Sequence, residues 1–137
     1  MRQYTISDII DFVEKETSSR EVTPDTDIFY DLDCVEDDFG DLMEKYSEKF
    51  GVDLANYIWF FHCDEEGQNF GGMFFKPPYA RVDRIPLTPK ILLLYANTGI
   101  WNMTYPRHRI PRKRLDILIN KIIVGLFLVF LLYYFLR

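Results

Sequence analysis

The sequence predicts a small α+β domain, a helical bundle carrying an inserted β-hairpin, followed by a basic linker and one C-terminal transmembrane helix. Three observations carry that reading. Residues 31–54 repeat their apolar positions with a helical period. The stretch after Asn56 is dense in aromatic and β-branched residues, as buried strands are. The segment 117–136 is apolar on every side. The expected boundaries are a domain over 1–105, a juxtamembrane linker over 106–116 and a membrane helix over 117–136.

Taken in order, Thr5-Ile6-Ser7-Asp8 is a capping box that opens a first helix, with Ile6, Ile9, Ile10 and Val13 on its apolar face. That helix should end near Thr17–Ser19. A loop follows, in which Pro24 biases Thr23 away from helix and the Asp and Thr residues suit turns. Ile28, Phe29 and Leu32 would anchor the loop to the core. In the second long helix Val35, Phe39, Leu42, Met43, Tyr46 and Phe50 form one buried stripe. Asp33 is the expected N-cap, Glu36, Asp37 and Asp38 complement the positive end of the helix dipole, and Gly51 is the stop.

Beyond Asn56, YIWFFHC reads as one strand and Asn69–Phe75 as a second, joined by a turn at Asp64-Glu65-Glu66-Gly67. An irregular stretch leads to Thr88-Pro89, an N-cap followed by proline at the first helical position, and Gly99 ends that helix. Trp101, Met103 and Tyr105 would pack back on the domain.

At 1.5 Å per residue, the twenty residues 117–136 span about 30 Å, the thickness of a bilayer's hydrocarbon core. Asn120 and Lys121 lie one turn inside, where lysine can reach the headgroups. Arg107, Arg109, Arg112, Lys113 and Arg114 precede the helix and make a membrane-surface cluster that should attract anionic lipid. The positive-inside rule then predicts a single-pass protein of the inner (cytoplasmic) membrane, with its N-terminal domain in the cytoplasm. The opening residues lack the long apolar run of a secretory signal peptide.

Charge divides the chain. Residues 1–66 hold nineteen acidic and five basic side chains, whereas residues 67–137 hold two acidic and eleven basic ones. A domain so acidic at the front argues against nucleic acid as a partner. Glu36, Asp37, Asp38, Asp41, Glu44 and Glu48 crowd the outer side of the second helix. They form either a solvated face or a docking surface that steers a basic protein toward itself. Cys34 and Cys63 do not make a disulfide framework and suit free thiols.

Glu21 to Leu54 resembles an acyl carrier protein. The loop after the first helix, Asp31-Leu32, the acidic helix with Leu42-Met43, and Phe50 fall in register with that family, and Thr88 to Asn97 would be its final helix. Tyr57 to Ile85 would be an insertion. Carriers place Asp-Ser-Leu at the start of the second helix, and the serine takes the phosphopantetheine arm. Here those positions are Val35, Glu36 and Asp37, and a glutamate cannot form the phosphodiester. More narrowly, Asp31-Leu32, Asp37-Asp38, Leu42-Met43, Phe50-Gly51-Val52-Asp53, Pro86-Leu87-Thr88 and Gly99-Ile100-Trp101 resemble a bacterial family of serine-less, acyl-carrier-like proteins catalogued as a domain of unknown function. The resemblance implies no cofactor and no active site.

Catalytic and metal chemistry find little support. A calcium loop beginning at Asp31 would need glycine at Glu36 and glutamate at Leu42. His62-Cys63-Asp64-Glu65 has no second histidine near it in sequence, and Gly71-Gly72 lacks the lysine and helix of a phosphate loop. The expectation is a non-enzymatic, membrane-tethered adaptor or regulator that binds a basic protein partner through its acidic helix. The alternatives are a functional acyl or phosphopantetheine carrier with a non-standard site, and a self-contained protein whose basic run clamps its own acidic helix.

Overall fold

The computed structural model describes residues 3–137. Its elements are α1 (Ile6–Thr17), the single-turn α2 (Ile28–Asp31), α3 (Glu36–Phe50), α4 (Pro89–Thr98) and α5 (Leu115–Leu136), with three 3-10 turns at Trp59–Phe61, Phe70–Met73 and Pro78–Arg81.

The caps explain the helix limits. Thr5 accepts from the Asp8 amide while the Asp8 carboxylate accepts from the Thr5 amide, so the capping box is complete. Thr88 accepts from the Ile91 amide and Pro89 follows it. Gly51 and Gly99 end α3 and α4 in the left-handed conformation that glycine adopts without steric cost. Asp33 does not cap α3. The helix starts after Val35, which has no capping side chain, and the Glu36 amide instead donates to the carboxylate of Asp64, 28 residues away. That cap is tertiary, which is why the local sequence misplaced it.

The core forms where α1, α3 and α4 meet. Phe39, Leu42, Met43, Tyr46 and Phe50 of α3 are all buried against Ile9, Phe12 and Val13 of α1 and Leu92 and Ala96 of α4. Each such apolar side chain contributes about 1.5–3 kcal/mol, against about 0.2–0.5 kcal/mol for each unfavourable like-charge pair on the outer face of the helix. The stripe therefore wins, and α3 can carry an undercompensated acidic face. The Tyr46 hydroxyl donates to the Leu92 carbonyl at 2.6 Å, tying α3 to α4. Asn97 bonds the backbone of Tyr4 in both directions, at 2.7 and 3.2 Å, tying α4 to the start of the chain. A lone parallel bridge between Asp53 and Ile100 brings the chain back to the end of α3.

The expected β-hairpin is absent: among the described residues there is no strand, and the domain is helical with irregular connections. The α+β class is thus corrected. In a hairpin the amides of residues 57–63 and 69–75 would pair with each other. Here the amides of Phe61, His62 and Cys63 donate to carbonyls three or four residues back, and the Gly71 amide donates to the side chain of Asn120. The aromatic residues that suggested a strand fill a cluster instead. Tyr57 stacks on His62 at 5.3 Å, and Trp101, fully buried, meets Tyr46, Tyr57 and His62 edge-on.

α5 is one helix long and apolar enough to cross a membrane. Most of its large apolar side chains are exposed. Its first turns are the exception. They pack on the Phe70–Met73 turn, where Asp116 is buried and a Cβ on Gly71 would lie 1.9 Å from the Asp116 carbonyl oxygen. Only glycine permits that approach.

Candidate functional site

With its apolar stripe in the core, α3 turns Asp37, Asp38, Asp41, Glu44 and Glu48 to solvent and leaves Glu36 half-buried. The backbone at Glu36 has φ +55°, a left-handed conformation that costs a non-glycine residue about 1–2 kcal/mol. The Asp64 carboxylate holds the Glu36 amide at 3.2 Å and pins the 59–66 loop over the first turn of the helix.

An open groove of about 720 Å³ results. α3 supplies Glu36, Asp37 and Asp41, and the loop supplies Asp64, Glu65 and Glu66, with Gly40, Trp59 and Cys63 completing the lining. Among the described residues no basic side chain lines it. Glu65 is partly neutralised from outside by Arg114 at 2.8 Å. The Glu66 carboxyl is held above the usual carboxylate range, chiefly by its hydrogen bond with Asp37 and then by the charges of Asp37 and Glu36. The direction of that shift reflects the crowding of like charge at this end of the groove. Space at Gly40 is open: nothing lies within 4 Å of where a Cβ would stand.

The structure thus splits the predicted acidic residues. Glu36, Asp37 and Asp41 meet in the groove. Asp38 faces a second cleft, shared with Asp41, Glu16 and Cys34, in which Lys45 pairs with Glu16 at 3.0 Å. Glu44 and Glu48 are exposed on α3 and line neither cleft. Sequence reasoning missed Asp64, Glu65 and Glu66, which read as a turn. Their run of acidic charge was visible, but nothing local placed it against α3.

The basic run is divided too. Arg107, Arg109, Arg112 and Lys113 are exposed. Arg114 is engaged by Asp116 and Glu65. Among the described residues no ion pair joins the run to α3.

The remaining candidates are structural. His62 is buried, with Nδ1 2.9 Å from the Ile85 carbonyl and Nε2 2.8 Å from the Tyr105 hydroxyl. A carbonyl only accepts, so Nδ1 carries the proton and Nε2 accepts from Tyr105. The Tyr105 oxygen in turn accepts from Trp101 Nε1 at 2.9 Å and the Ile58 amide at 3.3 Å. A neutral imidazole satisfies the Ile85 carbonyl, the Tyr105 hydroxyl and both ring nitrogens of His62, and burial pushes His62 down to about 4. Burial also pushes Cys34 up to about 11 and Cys63 up to about 12, with nearby carboxylates adding to both, so both remain thiols rather than nucleophilic thiolates. Among the described residues no three His, Cys, Asp or Glu side chains are grouped to hold a metal ion.

The profile of one family, described as protein of unknown function (DUF1493), matches residues 3–103. No curated protein and no solved structure matches the chain.

Proposed function

The chain belongs to the DUF1493 family, whose function is unknown, and from that premise we propose that it is a non-enzymatic, membrane-tethered adaptor that docks a basic protein segment in the acidic groove. The observation that carries the reading is the convergence of six carboxylates on one groove that, among the described residues, no basic side chain lines. Such a groove concentrates positive charge and speeds encounter with a basic partner. Trp59 adds an apolar, aromatic surface beside the carboxylates, suited to the stems and heads of arginine and lysine.

The acyl-carrier likeness belongs to the same proposal. A long first helix, a loop ending in one helical turn, an acidic helix and a closing helix are the parts a carrier-like module needs. Glu36 stands where a carrier's serine would be, and its amide is already occupied by Asp64. The reading is of a bacterial, carrier-shaped surface that keeps its acidic recognition helix and has given up the prosthetic arm. α5 would anchor it as a single pass, and the exposed arginines before α5 would keep the domain on the cytoplasmic side of the inner membrane.

The test uses the full-length protein in detergent micelles. Trp59 lines the groove and Trp101 is fully buried, so tryptophan emission reports on the groove. Titration with an arginine- and lysine-rich peptide should shift that emission, the more so at low salt. The triple charge reversal Asp37→Lys, Asp41→Lys, Glu66→Lys should abolish the shift. Equal binding by wild type and variant would overturn the docking reading. A mass gain on incubation with a phosphopantetheinyl transferase would overturn the loss of carrier chemistry.

A further inference from the structure

The turn that grips α5 has an apolar outer side exposed to solvent. Phe70, Met73, Phe74 and Phe75 are 55, 82, 71 and 39% exposed, four large apolar side chains within six residues. On its inner side the same turn is locked to the helix. The Gly71 amide donates to Asn120 Oδ1 at 2.6 Å, Asn120 Nδ2 donates to Asn69 Oδ1 at 2.8 Å, and Asn69 Nδ2 donates to Asp116 Oδ2 at 3.0 Å. Arg114 closes the network onto Asp116 and, at 2.8 Å, onto Glu65.

The height of the clamp on α5 is what matters. Asn120 precedes by two residues the uninterrupted apolar run Ile122–Leu136. A turn fixed to Asp116 and Asn120 therefore lies beside the point where the helix passes from polar to apolar surroundings. The C-terminal flank of the turn is basic, whereas Asp64–Glu66 before it are acidic: Lys76 and Arg81 share a small cleft with Phe75 and Lys113, together with the internally paired Arg114 and Asp116. Exposed aromatic and Met side chains with lysine and arginine along one side have the composition of surfaces that lie in the headgroup region of a bilayer.

We propose that the 70–75 turn is a second membrane contact: Phe70, Met73 and Phe74 embed in the headgroup–acyl boundary of an anionic bilayer, while Lys76, Arg81 and Lys113 meet lipid phosphates. This rests on α5 spanning the membrane. Two points of contact, the helix and the turn, fix the tilt of the domain, where a single helix on a flexible linker would leave it free. Because Glu65 lines the acidic groove and also binds Arg114, the groove is held close to the same membrane face.

The experiment reconstitutes full-length protein in phosphatidylcholine vesicles with and without phosphatidylglycerol. Cys34 and Cys63 are replaced by alanine, and single cysteines at Met73, Tyr30 or Val129 carry a nitroxide label. Tyr30 is 76% exposed on α2 and serves as the aqueous reference; Val129 reads the span itself. The Met73 label should favour oxygen over a water-soluble nickel relaxant, the Tyr30 label the reverse, and phosphatidylglycerol should deepen the Met73 position. Phe74→Glu should return the Met73 label to water. A buried Val129 label with a water-exposed Met73 label would overturn this proposal and leave the span intact. A water-exposed Val129 label would overturn the span and the proposal together. Spin–spin broadening at Met73 that vanishes on dilution with unlabelled protein would assign the patch to a second copy of the chain and overturn the lipid assignment. Equal depth with and without phosphatidylglycerol would overturn the role given to the cations.

Discussion

Lowering the pH through the window from 6.5 to about 4 should destabilise the domain through His62. The group is neutral in the fold because Nδ1–H is committed to Ile85 and Nε2 accepts from Tyr105, whose oxygen already accepts from Trp101 and Ile58. A second proton would place two donors face to face in a buried cluster. The unfolded chain protonates near 6.5 and the folded one at about 4. The unfolded state thus binds more protons between those values, so stability is complete above 6.5, falls as the pH drops, and levels off below about 4. At about 1.4 kcal/mol per pKa unit the loss is about 3–4 kcal/mol, a large part of the stability of a small domain. Urea unfolding of the full-length protein in micelles, followed at buried Trp101, measures it across the window. His62→Asn, which can still donate to Ile85, should start less stable at neutral pH and lack this slope. Carboxylates that titrate in the same range act on both proteins and cancel in the difference. A wild type with flat stability, or a variant with the same slope, would refute the neutral-imidazole network.

Three further outcomes are expected. Gly40→Ala should raise stability by about 1 kcal/mol in urea unfolding, because Gly40 is an exposed helix-interior residue with open space around it; a loss would show that the backbone there needs glycine. Glu66 keeps its proton to higher pH in the fold than in the unfolded chain, so the folded state weakens as pH rises through and above the usual carboxylate range. Glu66→Gln should therefore be the more stable protein at neutral pH and converge with wild type in acid, as read from urea midpoints. Gly71→Ala forces a Cβ against the Asp116 carbonyl, and such overpacking costs about 1–3 kcal/mol. Since Gly71 lies outside the α1–α3–α4 core, hydrogen exchange should quicken at residues 115–120 while the core keeps its protection.

Much of the domain was legible because its signals are local. The Thr5–Asp8 box, the Thr88-Pro89 start, the glycine stops and the α3 stripe from Phe39 to Phe50 each depend on residues within one or two turns, and each stands in the structure where the sequence put it, whereas Val35, expected to open the stripe, is a half-buried N-cap outside the helix. The reading failed where distant partners decide. The aromatic run at 57–63 has the composition of a strand, but a strand needs a neighbour to take its amides, and here a buried histidine and Trp101 offered the side chains a better home. The 69–75 run failed for a related reason: its glycine is there to receive the backbone of α5.

The candidate site divides in the same way. The acidic face of α3 followed from its apolar stripe, since what is not buried must face water. That the Asp64–Glu66 run would lie across from that face, and that Asp64 would cap the helix, could not follow, because contacts between residues 28 positions apart leave no periodic trace. The sequence by itself determined the limits of α1 and α4, the buried stripe and the stop of α3, which end is acidic and which segment is apolar enough for a bilayer. Only the tertiary structure decided that the acids converge on one groove and that α5 is fastened to the domain, because both depend on packing between segments whose spacing along the chain carries no energy of its own.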